Sequence, residues 1–227
     1  LGAQTYDVTP LLHEGENELL ITLGDGWHRS TSGVDGGRNL FGDTLGVLFQ
    51  LEVDGKAVCV SDADMRATQR GPIRQNDMQQ GEVYDARREG ELTGWHGVHT
   101  YRDDLPITGM NTVPILEHEA FPGKLLQTPN GETVLDFGQN MAGYVEMKLT
   151  AHAGQKIKLR FGELLDENGE FTQKNIQCAN KNITTPLQQV IYTCKEGENH
   201  YKTAFAIFGF QYVLVEADVA VQPEKFT

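Results

Sequence analysis

The sequence predicts an all-β protein of two consecutive antiparallel, jelly-roll-like β-sandwich domains. Three observations carry this. Short apolar stretches alternate with polar residues and are separated by turn signals every 8–12 residues or so, the spacing of sandwiches and barrels, roughly as strand-and-turn patterning requires. No segment longer than about ten residues sustains the helical period of about 3.6. Prolines at Pro106, Pro114 and Pro122 break the β-rich chain into two groups, residues 1–105 and 106–227.

Taken in order, Thr9-Pro10-Leu11-Leu12 reads as one helical turn, with Thr9 as cap and Pro10 at the first helical position; Gly15 ends it. Residues 17–23 (NELLITL) read as a strand that stops at Gly24-Asp25-Gly26. A glycine-rich loop follows as far as Gly42. Residues 44–53 (TLGVLFQLEV) form a long strand candidate, Asp54-Gly55 is a two-residue hairpin signal, and residues 56–60 return as its partner. Residues 70–94 are polar and read as a long loop. After the proline-spaced junction, residues 133–137, 144–149, 156–161, 189–194, 203–207 and 211–215 are the strand candidates. Asn130-Gly131, residues 151–154, Asp166-Glu167-Asn168-Gly169 and the KEGEN segment 195–199 are read as turns.

Composition excludes several functions. The chain has 227 residues with 19 Lys and Arg against 32 Asp and Glu, a net charge of −13. Of this, −9 falls in residues 1–105. Such a surface repels phosphate backbones and anionic membranes, so neither nucleic acid nor a membrane surface is an expected partner. No run reaches the roughly 18 apolar residues of a membrane-spanning helix. Three cysteines, Cys59, Cys178 and Cys194, form no framework and fit a reducing, cytoplasmic setting. The opening Leu1-Gly2-Ala3-Gln4 carries no leader pattern and reads as the interior of a longer chain.

Motifs for several chemistries are missing. His96 and His99 are spaced i, i+3 without a helix to align them, and no zinc spacing occurs. Gly24-Asp25-Gly26-Trp27-His28-Arg29 lacks the third glycine of a dinucleotide loop. No Walker A sequence or nucleophile elbow is present, and nothing in the spacing selects a pair of glycosidase carboxylates. Two loops do collect oxygen ligands of the kind calcium takes: Asp25, Asp35, Asn39 and Asp43 in one, Asn76, Asp77, Glu82 and Asp85 in the other. The aromatics Trp27, Phe41, Tyr84 and Trp95 sit in or beside these loops, which is the make-up of a carbohydrate site. The plainer alternatives are solvated acidic loops and aromatics that cap a sandwich core.

Several strings together resemble bacterial α-L-rhamnosidases. In the first half these are Tyr6-Asp7-Val8-Thr9, Leu23-Gly24-Asp25-Gly26-Trp27, Gly36-Gly37-Arg38-Asn39-Leu40-Phe41-Gly42-Asp43, and the GExYDAR-like Gly81-Glu82-Val83-Tyr84-Asp85-Ala86-Arg87. In the second half they are Asp136-Phe137-Gly138-Gln139-Asn140-Met141-Ala142-Gly143, Glu163-Leu164-Leu165-Asp166-Glu167-Asn168-Gly169 and Phe208-Gly209-Phe210-Gln211-Tyr212-Val213. The strings follow the family's order across nearly the whole chain.

The resemblance implies a piece of a multidomain glycoside hydrolase: an N-terminal sandwich lacking its opening strands (1–105), then a concanavalin-like sandwich (106–227). The catalytic (α/α) barrel of the same polypeptide would be its partner. The parent would hydrolyse terminal α-L-rhamnose from glycosides with inversion; no catalytic residue carries over to this chain, which is expected to serve as a scaffold on the barrel. The alternative is a calcium-assisted L-rhamnose-binding module. Its candidate residues are Asp25, Trp27, Asn39, Asn76, Asp77, Glu82 and Trp95, with Asn76, Asp77 and Glu82 as calcium ligands and a rhamnose-containing glycoside as ligand. Gln79 stands where the family often carries an aromatic, so Trp27 or Trp95 would supply the stacking ring. The Gln139-Asn140 amides are expected to satisfy buried backbone groups in a structural turn that locks the second sandwich, with no ligand role.

Overall fold

The computed structural model describes residues 2–32, 37–102, 104–178 and 184–227. Its longer strands are β1 (Gln50–Val53), β2 (Lys56–Val60), β3 (Ile73–Asp77), β4 (Gly81–Asp85), β5 (Lys124–Gln127) and β6 (Thr133–Gly143). They continue with β7 (Met147–Ala151), β8 (Lys156–Gly162), β9 (Gln189–Thr193), β10 (Gly197–Tyr201) and β11 (Phe208–Ala217). A single helical turn covers Gly26–Arg29. The protein is all-β, as the alternation predicts.

Seven strands form the main sheet in the order β3-β4-β9-β8-β11-β6-β5. Its pairings are antiparallel except β4 with β9, which run parallel. The period-2 pattern of β8 explains its place near the centre: Ile157, Leu159 and Phe161 point into the core and are buried. β11 does the same with Phe208 and Phe210. The rings interlock, with Phe161 stacked on Phe208 at 4.2 Å and edge-on to Phe210 at 5.0 Å. A second, two-stranded layer, β7 with β10, closes the core through the buried Met147, Ala151 and Tyr201.

The first third of the chain is built differently. Among described residues 2–72, only Ser30 and Thr31 are buried. β1 and β2 pair as a hairpin whose turn residues Asp54 and Gly55 both have positive φ, 51° and 72°, the geometry of a type I′ turn. Every residue of β2 is exposed. Residues 9–11 form a helical turn of the 3-10 kind, displaced by one residue from expectation: Val8 rather than Thr9 is its cap, with no side-chain cap bond, and Pro10 is its second residue.

Some expected elements are absent or displaced. Residues 17–23 and 44–49 form no strand, although their apolar content suggested one; they pack against too little structure to bury a face. Residues 203–207 are irregular, and of the KEGEN segment only Lys195 and Glu196 connect the strands, Gly197 to Asn199 already lying in β10. The larger correction is the supposed loop 70–94, which contains β3 and β4. Their pattern was hidden because the residues they bury are Asp77 and Glu82 rather than apolar side chains. The main sheet therefore draws strands from both sides of the proline-spaced segment.

Gly81 shows why β4 fits where it does. Its φ is +88°, and a Cβ there would lie 2.0 Å from the Gln189 carbonyl oxygen of β9. Only glycine permits this approach.

Candidate functional site

The β3–β4 hairpin carries two buried carboxylates, and both face protein donors. One Asp77 oxygen accepts the backbone N–H groups of Gln79 and Gln80, each at 2.9 Å, which closes the hairpin turn. The other accepts the N–H and the hydroxyl of Thr31, both at 2.9 Å. Burial acts to raise the Asp77 pKa, but the bonds from Gln80, Thr31 and Gln79 outweigh it and hold the carboxyl below the usual range.

Glu82 is fully buried. One oxygen accepts the Tyr201 hydroxyl at 2.5 Å and the Ala204 N–H at 3.2 Å. The other accepts the Asn76 amide at 3.2 Å and the Phe205 N–H at 3.3 Å. Three tyrosines pack beside it. Tyr84 stacks on Tyr192 at 5.6 Å, and Tyr201 tilts against both at 4.9 Å. Burial first, and then the Glu82 charge, pushes the Tyr201 hydroxyl far above its ordinary range.

The remaining candidates gather above this hairpin. Asp25 precedes the helical turn and pairs with Arg38, while the Arg29 Nε lies 3.5 Å from its other oxygen. Asn39 takes a left-handed φ of 63° and donates its N–H to the Arg29 carbonyl at 3.2 Å. The Arg38 Nε lies 3.7 Å from Asp77, linking this group to the hairpin below. Gly24 rests on Asn76 and Phe205: a Cβ there would meet the Asn76 amide oxygen at 2.7 Å and the Phe205 ring at 3.0 Å. Trp27, carried by the helical turn, is 65% exposed.

Six of the seven candidates thus belong to one locality. Trp95 does not share its polar contacts: its indole N–H donates to the Leu92 carbonyl and its own carbonyl accepts from Arg66. Asp35 and Gly36 lie outside the described residues. Sequence reasoning missed Thr31, Arg38, Tyr201 and Phe205, whose roles are set by partners 40 to 120 residues away or so, a separation that local patterning does not report, roughly as expected for non-local contacts.

The calcium set does not suit a cation as arranged. A carboxylate offers about four acceptor positions. On Asp77 and on Glu82 all are filled by N–H and O–H donors, and Asn76 turns its donor end toward Glu82. Among the described residues no group of three His, Cys, Asp or Glu side chains is placed to hold a metal.

The other motifs have structural work. Asp85 caps the turn Ala86–Arg88 and grips the Arg87 guanidinium through both oxygens, at 2.8 and 2.9 Å. In the second half, Asp136 accepts the Gly138 N–H at 2.7 Å and the Gln211 amide at 3.0 Å, across a bulge in β6. Phe137 is buried, whereas Gln139 and Asn140 are exposed on that bulge. The expectation that their amides satisfy buried backbone is therefore overturned: the lock is Asp136 with Phe137, and the bulge turns the next two side chains outward.

The geometry defines an all-β, two-layer sandwich assembly whose loop cluster is organised by the buried carboxylates Asp77 and Glu82. Residues 1–125 match the α-L-rhamnosidase N-terminal domain, and residues 126–227 match the bacterial α-L-rhamnosidase concanavalin-like domain. The chain belongs to the bacterial α-L-rhamnosidase family. It is 33% identical over 93% of its length to an α-L-rhamnosidase of Streptomyces avermitilis, and 29% identical over 97% to one of Formosa agariphila. It covers 21% and 25% of those proteins, so it spans about a quarter or less of the curated relatives it matches. Among solved structures, it superposes on native α-L-rhamnosidase from Aspergillus terreus with a TM-score of 0.76 at 27% identity, covering 90% of this chain and 25% of that one. The Streptomyces avermitilis enzyme, complexed with L-rhamnose, gives 0.74 at 28% identity, with 88% and 20% coverage.

Proposed function

We propose that this chain is a non-catalytic β-sandwich part of an α-L-rhamnosidase and acts as a scaffold that packs on the catalytic (α/α) barrel of the same polypeptide. The parent enzyme would hydrolyse terminal α-L-rhamnose from glycosides. One observation carries the reading: the carboxylates at the heart of the candidate site spend all their acceptor positions on their own protein. A carboxylate so engaged is available neither as a general acid nor as a nucleophile. Their work is to hold loops together.

A second reading, L-rhamnose binding, is favoured by the exposure of Trp27, whose ring offers an apolar face to solvent. Calorimetry with L-rhamnose, with and without calcium, separates the two, alongside an aryl α-L-rhamnoside assay. The scaffold reading expects no hydrolysis and no heat at millimolar sugar in either condition. Heat that disappears in Trp27→Ala supports the module instead, and hydrolysis by the purified chain that is lost on replacing one of its carboxylates refutes both.

A further inference from the structure

The 24–31 loop is held at both of its ends by one hairpin. At its start, Gly24 sits on Asn76 and on the Phe205 ring, and both of these are hydrogen-bonded to the same Glu82 oxygen. At its end, Thr31 gives two hydrogen bonds to Asp77, and Ser30 accepts the Met78 N–H at 3.0 Å. Between the two anchors the chain makes its helical turn and exposes Trp27. Glu82 also takes its other donors from Tyr201, at the end of β10, and Ala204 just beyond it.

We propose that Asp77 and Glu82 are positioning residues that clamp the two ends of the Trp27 loop and fix its place relative to the 201–205 segment. The clamp goes beyond the scaffold reading, because it assigns a route: a shift of the 201–205 segment reaches Gly24 directly through the Phe205 ring and also through Glu82 and Asn76. It also separates the candidates by role. Trp27 faces outward, while Asp77 and Glu82 act through the backbone they hold.

The route is short and physically continuous. At the Thr31 end the anchor is a pair of hydrogen bonds to Asp77, and at the Gly24 end it is packing on Asn76 and Phe205, which Glu82 holds in place, so the loop opens rarely on its own. Removing one donor or the charge should release the loop while the sheet core stays closed.

Amide hydrogen exchange followed by mass spectrometry reads this directly. Thr31→Val removes one donor to Asp77 and keeps the backbone bond; Glu82→Gln removes the charge at the other anchor. In either variant, peptides within 24–31 are expected to exchange about threefold faster or more, while peptides from β8 and β11 keep their wild-type rates. A smaller rise in the loop overturns the proposal. So does a rise matched in β8 and β11, which would mean general loosening. Should Glu82→Gln fail to fold, Thr31→Val decides the outcome alone.

Discussion

Tyr201→Phe deletes one oxygen and leaves the ring in place. In the wild type that hydroxyl donates to Glu82 at 2.5 Å, and both residues are buried. The ring contacts with Tyr84 and Tyr192 survive the change, so the packing contribution is preserved. What is lost is a hydrogen bond to a charged acceptor in a dry site, worth about 1.5–3 kcal/mol, and water cannot enter to replace it. A natural control exists on the surface. Tyr144 also donates its hydroxyl to a carboxylate, that of Glu117, but the Glu117 side chain is 68% exposed. Tyr144→Phe should therefore cost less than about 0.5 kcal/mol. Urea unfolding of the three proteins, analysed at equal slope, gives both differences. If Tyr201→Phe costs no more than Tyr144→Phe, the Glu82 network is not a stabilising element and the reasoning about its buried acceptor fails.

Three further outcomes are expected. The Asp77 carboxyl is held below its ordinary range in the folded state, so its contribution is present above the unfolded pKa and is lost as pH falls through the lower folded one; Asp77→Asn should be less stable than wild type at neutral pH, with the gap narrowing below about pH 4 in a pH series of urea midpoints. Phe161→Ala empties the contact point of Phe208 and Phe210 and should cost about 3–5 kcal/mol, read as a fall in unfolding midpoint. Asn140→Ala, at an exposed position on the β6 bulge, should change stability by less than about 0.5 kcal/mol, and a larger loss by calorimetric melting would restore a buried role for its amide.

How much could be read beforehand depended on what each residue buries. β8 was legible because Ile157, Leu159 and Phe161 bury hydrocarbon at period two, whereas β11 was legible only over 211–215, a candidate that left out its buried Phe208 and Phe210. The Asp54-Gly55 hairpin was legible because only a few residue types accept the left-handed turn. β3 and β4 were not, since a strand that buries Asp77 and Glu82 has the composition of a loop. The segment 17–23 failed in the opposite direction: Leu19 and Leu20 look like strand residues yet remain exposed, for want of a surface to cover them. The candidate site was legible as a neighbourhood, because Asp25, Asn39, Asn76, Asp77 and Glu82 did converge. Its chemistry was not, because whether a carboxylate faces solvent or four protein donors is decided by Thr31, Tyr201, Ala204 and Phe205, which are distant in the chain.

The parallel pairing of β4 with β9 sets a timetable for the newborn chain. Tyr84 lies opposite Tyr192 and Glu82 opposite Val190, so 108 residues separate each strand position from its neighbour. At a synthesis rate of about 5–20 residues per second, β4 waits on the order of 5–20 seconds for β9 to emerge. Through that interval Glu82 has neither Tyr201 nor the Phe205 N–H, and β4 presents an unpaired strand edge to its surroundings. A chain severed near residue 106 would make the wait permanent and leave β9 equally bare. The two halves, though matched by separate domain families, are therefore expected to mature as one unit and to aggregate when expressed apart.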